Sequence, residues 1–232
     1  MRYSAVAERL PGFLRRHVLH FETVIEEQVT RFAASAKPRD RVLDAGAGEG
    51  RYSKWFAHAR YTGIDLAVGD SSWNYGGLDA VGDLTVLPFR DNCFAECLNI
   101  VTLEHVREPA LVIRELARVL ASGGRLLLIV PHEWEVHQSP HDYFRYTRHG
   151  VEYLLQQAGF AAFDVQPIGG YFRLMARRLL NGLQFFTGGL RWILFLPAAL
   201  FLVPPALILP FLDFLDKDRN FTLGYTCIAT KR

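Results

Sequence analysis

The sequence predicts an α/β fold: a mostly parallel, seven-stranded sheet with helices on both faces and an apolar helical insertion before the last strand. Three observations carry this expectation. Short aliphatic and β-branched runs alternate with amphipathic stretches from residue 41 to residue 168. A glycine-rich turn follows the first of those runs directly. An uncharged run of 21 residues, Trp192 to Leu212, separates the alternation from one final strand-like segment. At 232 residues and 26.4 kDa the chain fits one large α/β domain and can bury a substantial core.

Each element has its own signal. Residues 12–36 place Phe21, Val24, Ile25, Val29 and Phe32 near helical spacing with charges between them, and Lys37-Pro38-Arg39-Asp40 ends that amphipathic helix. The expected series continues as strand 41–45, helix 51–59, strand 61–65, a short strand near 79–82, strand 95–101, helix 109–120 and strand 124–130. Ser122-Gly123-Gly124 stops the helix, and Arg125 to Val130 reads as a fully buried strand. A helix over 147–158, closed by Gly159, leads into a strand near 161–168. Phe221 to Thr230 reads as the last strand. Three regions follow: an N-terminal helical cap over 1–37, a main domain of 38–169 with 220–232, and the insertion 170–219 between its two parts.

Composition excludes several classes. Half of the residues are hydrophobic and 22% are charged, which rules out a disordered, collagen-like or coiled-coil chain. Cys93, Cys97 and Cys227 form no zinc-like quartet and are too few for a disulfide scaffold, so they read as reduced packing residues. The opening MRYSAVAERLPGF lacks the apolar core of a signal peptide, from which a cytoplasmic location is expected. Charge is uneven. Residues 1–170 hold 18 basic against 21 acidic residues, whereas 171–232 hold 8 against 3.

The chemistry starts where the first strand ends, at Val42-Leu43-Asp44-Ala45-Gly46-Ala47-Gly48-Glu49-Gly50. Glycines let the backbone turn tightly and approach a ligand at the positive end of the helix expected next. Their G-x-G-x-G spacing differs from the G-x-G-x-x-G of dinucleotide-binding domains, which disfavours a nicotinamide-dependent oxidoreductase. Asp65 ends the second strand, where a carboxylate can accept from vicinal ribose hydroxyls or can simply close a turn. Asp83, just past the third strand, can accept from an exocyclic amine or cap the next turn. These signals fall at the carboxyl ends of three consecutive strands, the edge where open α/β sheets bind ligands.

These residues resemble the class I S-adenosylmethionine-dependent methyltransferases of the small-molecule kind, type 11-like, with a Rossmann-like sheet. VLDAGAGEG at 42–50 is similar to the first motif of that family, GID at 63–65 to its ribose acid, and GDLTVLPFRDNCFAECLNIVTLEHV at 82–106 to its third and fourth motifs. The resemblance covers roughly 38–168 and the last strand. It implies S-adenosylmethionine as cofactor, with Gly46, Gly48 and Gly50 along its methionine portion, Asp65 on the ribose and Asp83 with Leu84 beside the adenine. Asp44 would orient the glycine loop or reach the cofactor amine through water, and Thr102 joins the cofactor-binding set. One departure bears on strand register: in Phe94-Ala95-Glu96 the acid stands one place later than the family's Phe-Asp.

Methyl transfer from a sulfonium is an in-line displacement, so positioning supplies much of the rate and a base is needed only for a protonated acceptor. His105, in Leu103-Glu104-His105-Val106, is by resemblance the foremost base, against the reading that it only holds backbone at a helix start. The polar loop from Pro131 to Thr147 adds His132 and Tyr143 to the catalytic candidates. It resembles a loop of methyltransferases from bacterial envelope and polysaccharide loci, where it would shape the lid over the acceptor. His132, His137 and His141 suggest a metal, but Pro131 and Pro140 break regular spacing and no cysteine joins them, so no metal is expected. Thr147 reads as a helix cap.

In the insertion, Arg173, Arg177, Arg178 and Arg191 precede the apolar run, an arrangement that attracts anionic headgroups. Pro197, Pro204, Pro205 and Pro210 are expected to cut the run into pieces too short to span a bilayer. A membrane-surface role is therefore expected, peripheral on the inner face of the cell membrane, against a buried hairpin or a dimer interface. The acceptor expected is an amphipathic or lipid-linked small molecule or glycan, methylated at oxygen. A non-catalytic cofactor-binding membrane scaffold is the third reading. Nucleic acid is disfavoured, since Asn99-Ile100-Val101-Thr102 stands where methylation of a base amino group would place N-P-P-[YF].

Overall fold

The computed structural model describes residues 12–69 and 72–232, so the reading of the extreme N-terminus lies outside the described residues. The chain folds as two compact units: the residues up to Val24 with Pro167–Leu223, and Ile25–Gln166 with Gly224–Arg232. The expected single N-terminal helix is two, α1 (Gly12–Val18) and α2 (His20–Ser35).

The larger unit holds β1 (Arg41–Ala45), β2 (Arg60–Asp65), β3 (Ala80–Val81), β4 (Phe94–Ile100), helix α3 (Pro109–Val119), β5 (Leu120–Pro131), α4 (Arg148–Gln157), most of β6 (Phe160–Ile168) and β7 (Gly224–Lys231). The seven strands form one sheet in the order β3-β2-β1-β4-β5-β7-β6. β1 through β5 pair in parallel and β7 runs antiparallel to β5, so the sheet is mixed.

Alternation along each strand divides the sheet into two faces. Leu43, Cys97 and Leu126 share one row and pack with Val112, Ile113 and Leu116 of α3 and with Val151 and Leu155 of α4 in a single core. Val42, Glu96 and Arg125 share the next row, on the opposite face. There Arg125 donates to Ser35 Oγ at 2.9 Å and lies over the ring of Phe32, which brings the C-terminal half of α2 onto this side. Buried Glu96 is ion-paired with Arg125, and the ladder shifts register between Phe94 and Glu96. That irregularity absorbs the displaced acid of the fourth motif.

Three further expectations are corrected. The helix expected over 51–59 is one 3-10 turn, Ser53–Phe56, because Phe56 is fully buried and the chain must enter β2 at Arg60. The links β2–β3 and β3–β4 also carry no α-helix among the described residues. Ser122-Gly123-Gly124 lies within β5, since Leu120 already pairs with Phe94.

The smaller unit contains α5 (Tyr171–Gly182) and α6 (Trp192–Ile208), which pack together with Leu202 against Gly182. The third correction lies here: α6 runs unbroken through Pro197, Pro204 and Pro205. Each proline removes one donor, yet its fixed φ near −65° is itself helical, and this apolar stretch offers the backbone no polar side chain as a competing partner. Asp213 caps α5 from a distance, accepting from Gly170 N at 3.1 Å and Arg173 N at 3.1 Å, while Asp216 accepts from Tyr171 N at 2.7 Å.

Candidate active site

The glycine loop is built by hydrogen bonds from its neighbours. Gly46 N donates to Ile64 O at 2.8 Å, and Gly48 N donates to Asp65 Oδ2 at 2.9 Å. Asp65 Oδ1 accepts from Ala67 N at 2.8 Å, so its carboxylate ties the loop to the end of β2 and keeps further lone pairs for a ligand. Gly46 has φ +89°, and a Cβ there would lie 2.2 Å from Thr102 Cγ2. Thr102 thus closes on the loop from the end of β4, and Asn99 Nδ2 holds the Ala45 carbonyl at 2.8 Å.

Asp44 is buried in β1 and accepts from the Tyr61 hydroxyl at 2.6 Å, while its Oδ1 has no partner. Burial pushes its carboxyl up to about 7, with the Tyr61 hydrogen bond opposing and the Asp65 charge adding. Asp83 Oδ1 accepts from both the amide and the hydroxyl of Thr85 at 2.8 Å, which is the turn-closing geometry. Leu84 sends its side chain into the core, leaving only its main chain for a ligand. Asp79, not singled out from sequence, accepts from Gly63 N at 2.8 Å.

Beyond Thr102 the chain makes one 3-10 turn, Leu103–His105, with His105 N bonded to Thr102 O at 2.9 Å. This turn meets the long loop after β5. Glu104 O accepts from Tyr143 N at 2.9 Å, Tyr146 Oη donates to Leu103 O at 2.8 Å, and His105 Nδ1 lies 2.5 Å from His141 O. The loop is braced internally by Arg145, whose Nη1 and Nη2 donate to Asp142 at 2.6 and 2.9 Å and whose Nη2 also donates to Glu135 O at 2.7 Å. The Arg145 guanidinium holds the Asp142 carboxyl down at about 2. Asp142 in turn accepts from His137 N at 2.8 Å.

The result is a cluster that separate segments of sequence did not announce. Glu104 is wholly buried, and its Oε1 lies 3.7 Å from His105 Nε2 and 3.8 Å from His137 Nε2. Burial pushes the Glu104 carboxyl up to about 8 and His105 below the usual imidazole range. His132 stands apart from this cluster, with Nδ1 2.8 Å from Tyr146 O and its ring beside Tyr225. Tyr143 is at the rim, its hydroxyl 3.2 Å from both Arg107 Nε and His141 Nδ1. Thr147 caps α4 by accepting from Gly150 N at 3.1 Å, as its position suggested. Buried Glu104 was not singled out, because an acid beside an apolar residue on a short turn has no periodic signal for burial.

Residues 43–128 match the family described as a methyltransferase domain, type 11. A demethylmenaquinone methyltransferase from Renibacterium salmoninarum is 35% identical over 105 residues, covering 41% of this chain and 43% of that protein. A probable tRNA methyltransferase 9B from Mus musculus is 34% identical over 116 residues, covering 48% of this chain and 25% of that protein. The chain therefore spans less than half the length of either curated relative. A SAM-dependent methyltransferase from Archaeoglobus fulgidus superposes with a TM-score of 0.58 at 12% identity, over 90% of this chain and 94% of that one, a likeness of fold.

Proposed function

We propose that the protein, whose residues 43–128 match the methyltransferase domain family, transfers a methyl group from S-adenosylmethionine to an oxygen of an amphipathic or lipid-linked acceptor at a membrane surface. In this reading Gly46, Gly48 and Gly50 run along the methionine end of the cofactor. Asp65 accepts from the ribose, and Asp83 with the Leu84 main chain borders the adenine. Asp44 faces the cofactor amine, and Thr102 sets the approach of the loop. The acceptor enters beside the 103–105 turn under the loop of residues 132–146, with Tyr143 at its rim and His132 in the loop wall. His105 is the residue that takes the acceptor proton. Its Nδ1 lies against the His141 carbonyl, so the tautomer that donates there leaves a lone pair on Nε2.

The observation that carries the membrane part is the exposure of a continuous apolar helical stretch, Gly189–Leu215, long and apolar enough to cross a membrane by length and composition. Leu190, Ile193, Phe201 and Phe211 are each more than 70% exposed within it. Large contiguous apolar patches mark interaction sites. The location proposed is the cytoplasmic face of the cell membrane, and the kinship to enzymes of envelope loci is part of this proposal. The test supplies labelled S-adenosylmethionine and the full-length chain with a total lipid extract, total tRNA or buffer. Alkali-stable label in a lipid ether, absent with Asp65→Asn, is expected. Label in tRNA, or no transfer to any acceptor despite tight cofactor binding, would overturn the acceptor class or the catalytic reading respectively.

A further inference from the structure

The cluster of Glu104, His105 and His137 brings a buried carboxyl group and two imidazole nitrogens to within 3.7 and 3.8 Å, too far apart for hydrogen bonds between them. Both carboxylate oxygens of Glu104 lack a hydrogen-bond partner, as do Nε2 of His105 and Nε2 of His137, although all four atoms are buried. Glu104 itself is 0% exposed. Arg145, the nearby cation, spends its donors on Asp142 and on the carbonyls of Trp134, Phe144 and Glu135. Buried polar groups left without a partner cost roughly 1–3 kcal/mol each, and at these separations an ion between them satisfies all three residues at once, whereas a shared proton does not reach.

The two imidazoles are oriented for that. His105 Nδ1 lies 2.5 Å from the His141 carbonyl, and His137 Nδ1 lies 3.1 Å from the Glu135 carbonyl. A carbonyl only accepts, so each Nδ1 is the protonated nitrogen and each Nε2 carries a lone pair directed at Glu104. Fixing a ligand imidazole through its other nitrogen is the usual outer arrangement of metal-binding histidines. One ligand atom from each residue falls within 4.8 Å of the others. The two spacings to Glu104 Oε1, 3.7 and 3.8 Å, are a few tenths longer than the roughly 3.3 Å between neighbouring ligands of a tetrahedral ion with bonds near 2.0–2.1 Å.

We propose that Glu104, His105 and His137 form a three-ligand site for a divalent transition-metal ion of the zinc type, with a remaining coordination position open. Two imidazole nitrogens and one carboxylate suit zinc and its first-row neighbours and are a poor set for magnesium or calcium, which take oxygen donors. The site differs from the three-histidine set weighed from the sequence: His132 and His141 are replaced by Glu104 and His105, and only the main chain of His141 takes part. The site's consequence for catalysis rests on the functional reading above. An ion held there would polarise an acceptor hydroxyl and take over the role given to the His105 lone pair. Metal binding itself does not depend on that reading.

The full-length protein, stripped with a chelator and shown to keep its far-ultraviolet dichroism, is titrated with Zn2+ against a fluorescent chelator and with Co2+ followed by its visible bands. One equivalent of each is expected, the Co2+ spectrum showing nitrogen ligation at low coordination number. Glu104→Gln and His137→Ala each weaken Zn2+ binding by at least about 100-fold, the upper end seen for disturbed metal sites. His132→Ala and His141→Ala retain it. No saturable binding by the folded protein, or binding unchanged in His137→Ala, would overturn the site. His137 lies on the loop, so this variant remains informative if Glu104→Gln does not fold. Calorimetry with S-adenosylmethionine on the same stripped sample separates the two readings: absence of cofactor binding sinks the methyltransferase assignment, whereas cofactor binding by a protein that shows no saturable metal binding sinks only this inference.

Discussion

At the scale of single residues, Asp44 and Gly46 carry the sharpest consequences. The Asp44 carboxyl rises to about 7 in the folded chain, from an ordinary value near 3.8, chiefly because it is buried. Its contribution is therefore favourable below about pH 4 and is lost as pH climbs through 7, since the unfolded chain gives up the proton earlier. Over that window the loss is about 4 kcal/mol as an order of magnitude. Asp44→Asn should flatten the difference, so urea midpoints measured across this range should fall with pH in the wild type and fall less in the variant. Equal pH slopes would mean that Asp44 ionises freely. The three loop glycines are not equivalent: a Cβ on Gly48 meets Trp73 only at 3.5 Å, whereas one on Gly46 meets Thr102 at 2.2 Å. Gly46→Ala should thus cost about 1–3 kcal/mol of stability by overpacking, with Thr102→Ala restoring part of it in the double variant; a neutral Gly46→Ala would remove the contact from importance. For Asp65, the loss expected in Asp65→Ala is about 1–3 kcal/mol of cofactor affinity by calorimetry, including the loop anchor to Gly48 N as well as any ribose contact.

At the scale of elements, local sequence was informative where periodicity or glycine placed a strand, and silent where long-range contacts set the outcome. β1, β2, β4 and α3 stand within a residue of their expected bounds: the apolar runs of β1 and β4 are almost wholly buried, α3 buries one stripe, and β2 is marked out by the short Tyr61–Asp65 segment before its turn. The helix expected over 51–59 after the glycine turn is a single 3-10 turn, Ser53–Phe56, because the chain re-enters the sheet at Arg60. Asp65 stood out at its strand end, and His105 through the family resemblance of the segment after β4. The convergence of Glu104 with His137 could not, since 33 positions separate them and only the fold of the 132–146 loop closes that distance. The brace in that loop yields its own prediction. Asp142→Ala frees Arg145 and the amide of His137, so the loop should lose order. We expect a rise in the acceptor KM with cofactor affinity unchanged, read by steady-state kinetics beside calorimetry. A change confined to cofactor affinity would contradict an acceptor-side loop.

At the scale of the whole molecule, the question is what covers the apolar helix. Basic residues flanking the run suggest strong attraction to anionic lipid, yet Arg173 is paired with Asp213 and Arg177 with Glu22 inside the smaller unit. Less of that charge is therefore available, and the apolar surface should dominate. Point substitutions test this better than removal of the whole run, since a deletion reaching Asp213 takes with it the hydrogen bonds to Gly170 N and Arg173 N that cap α5. Replacing Ile193, Leu200 and Phe201 by serine leaves the cap in place and alters side chains that are 73%, 70% and 79% exposed. Transferring each such side chain out of water is worth roughly 1.5–3 kcal/mol when complete, so the triple variant should lose binding to liposomes by well over tenfold. Screening acts on exposed charge and not on apolar burial, so wild-type flotation should fall only slightly between low and high salt. Anionic and neutral vesicles should then differ modestly. A wild-type protein that stays soluble with both, and sediments as a dimer that the triple variant dissociates, would assign this helix to a second copy of the chain and leave the membrane acceptor without support.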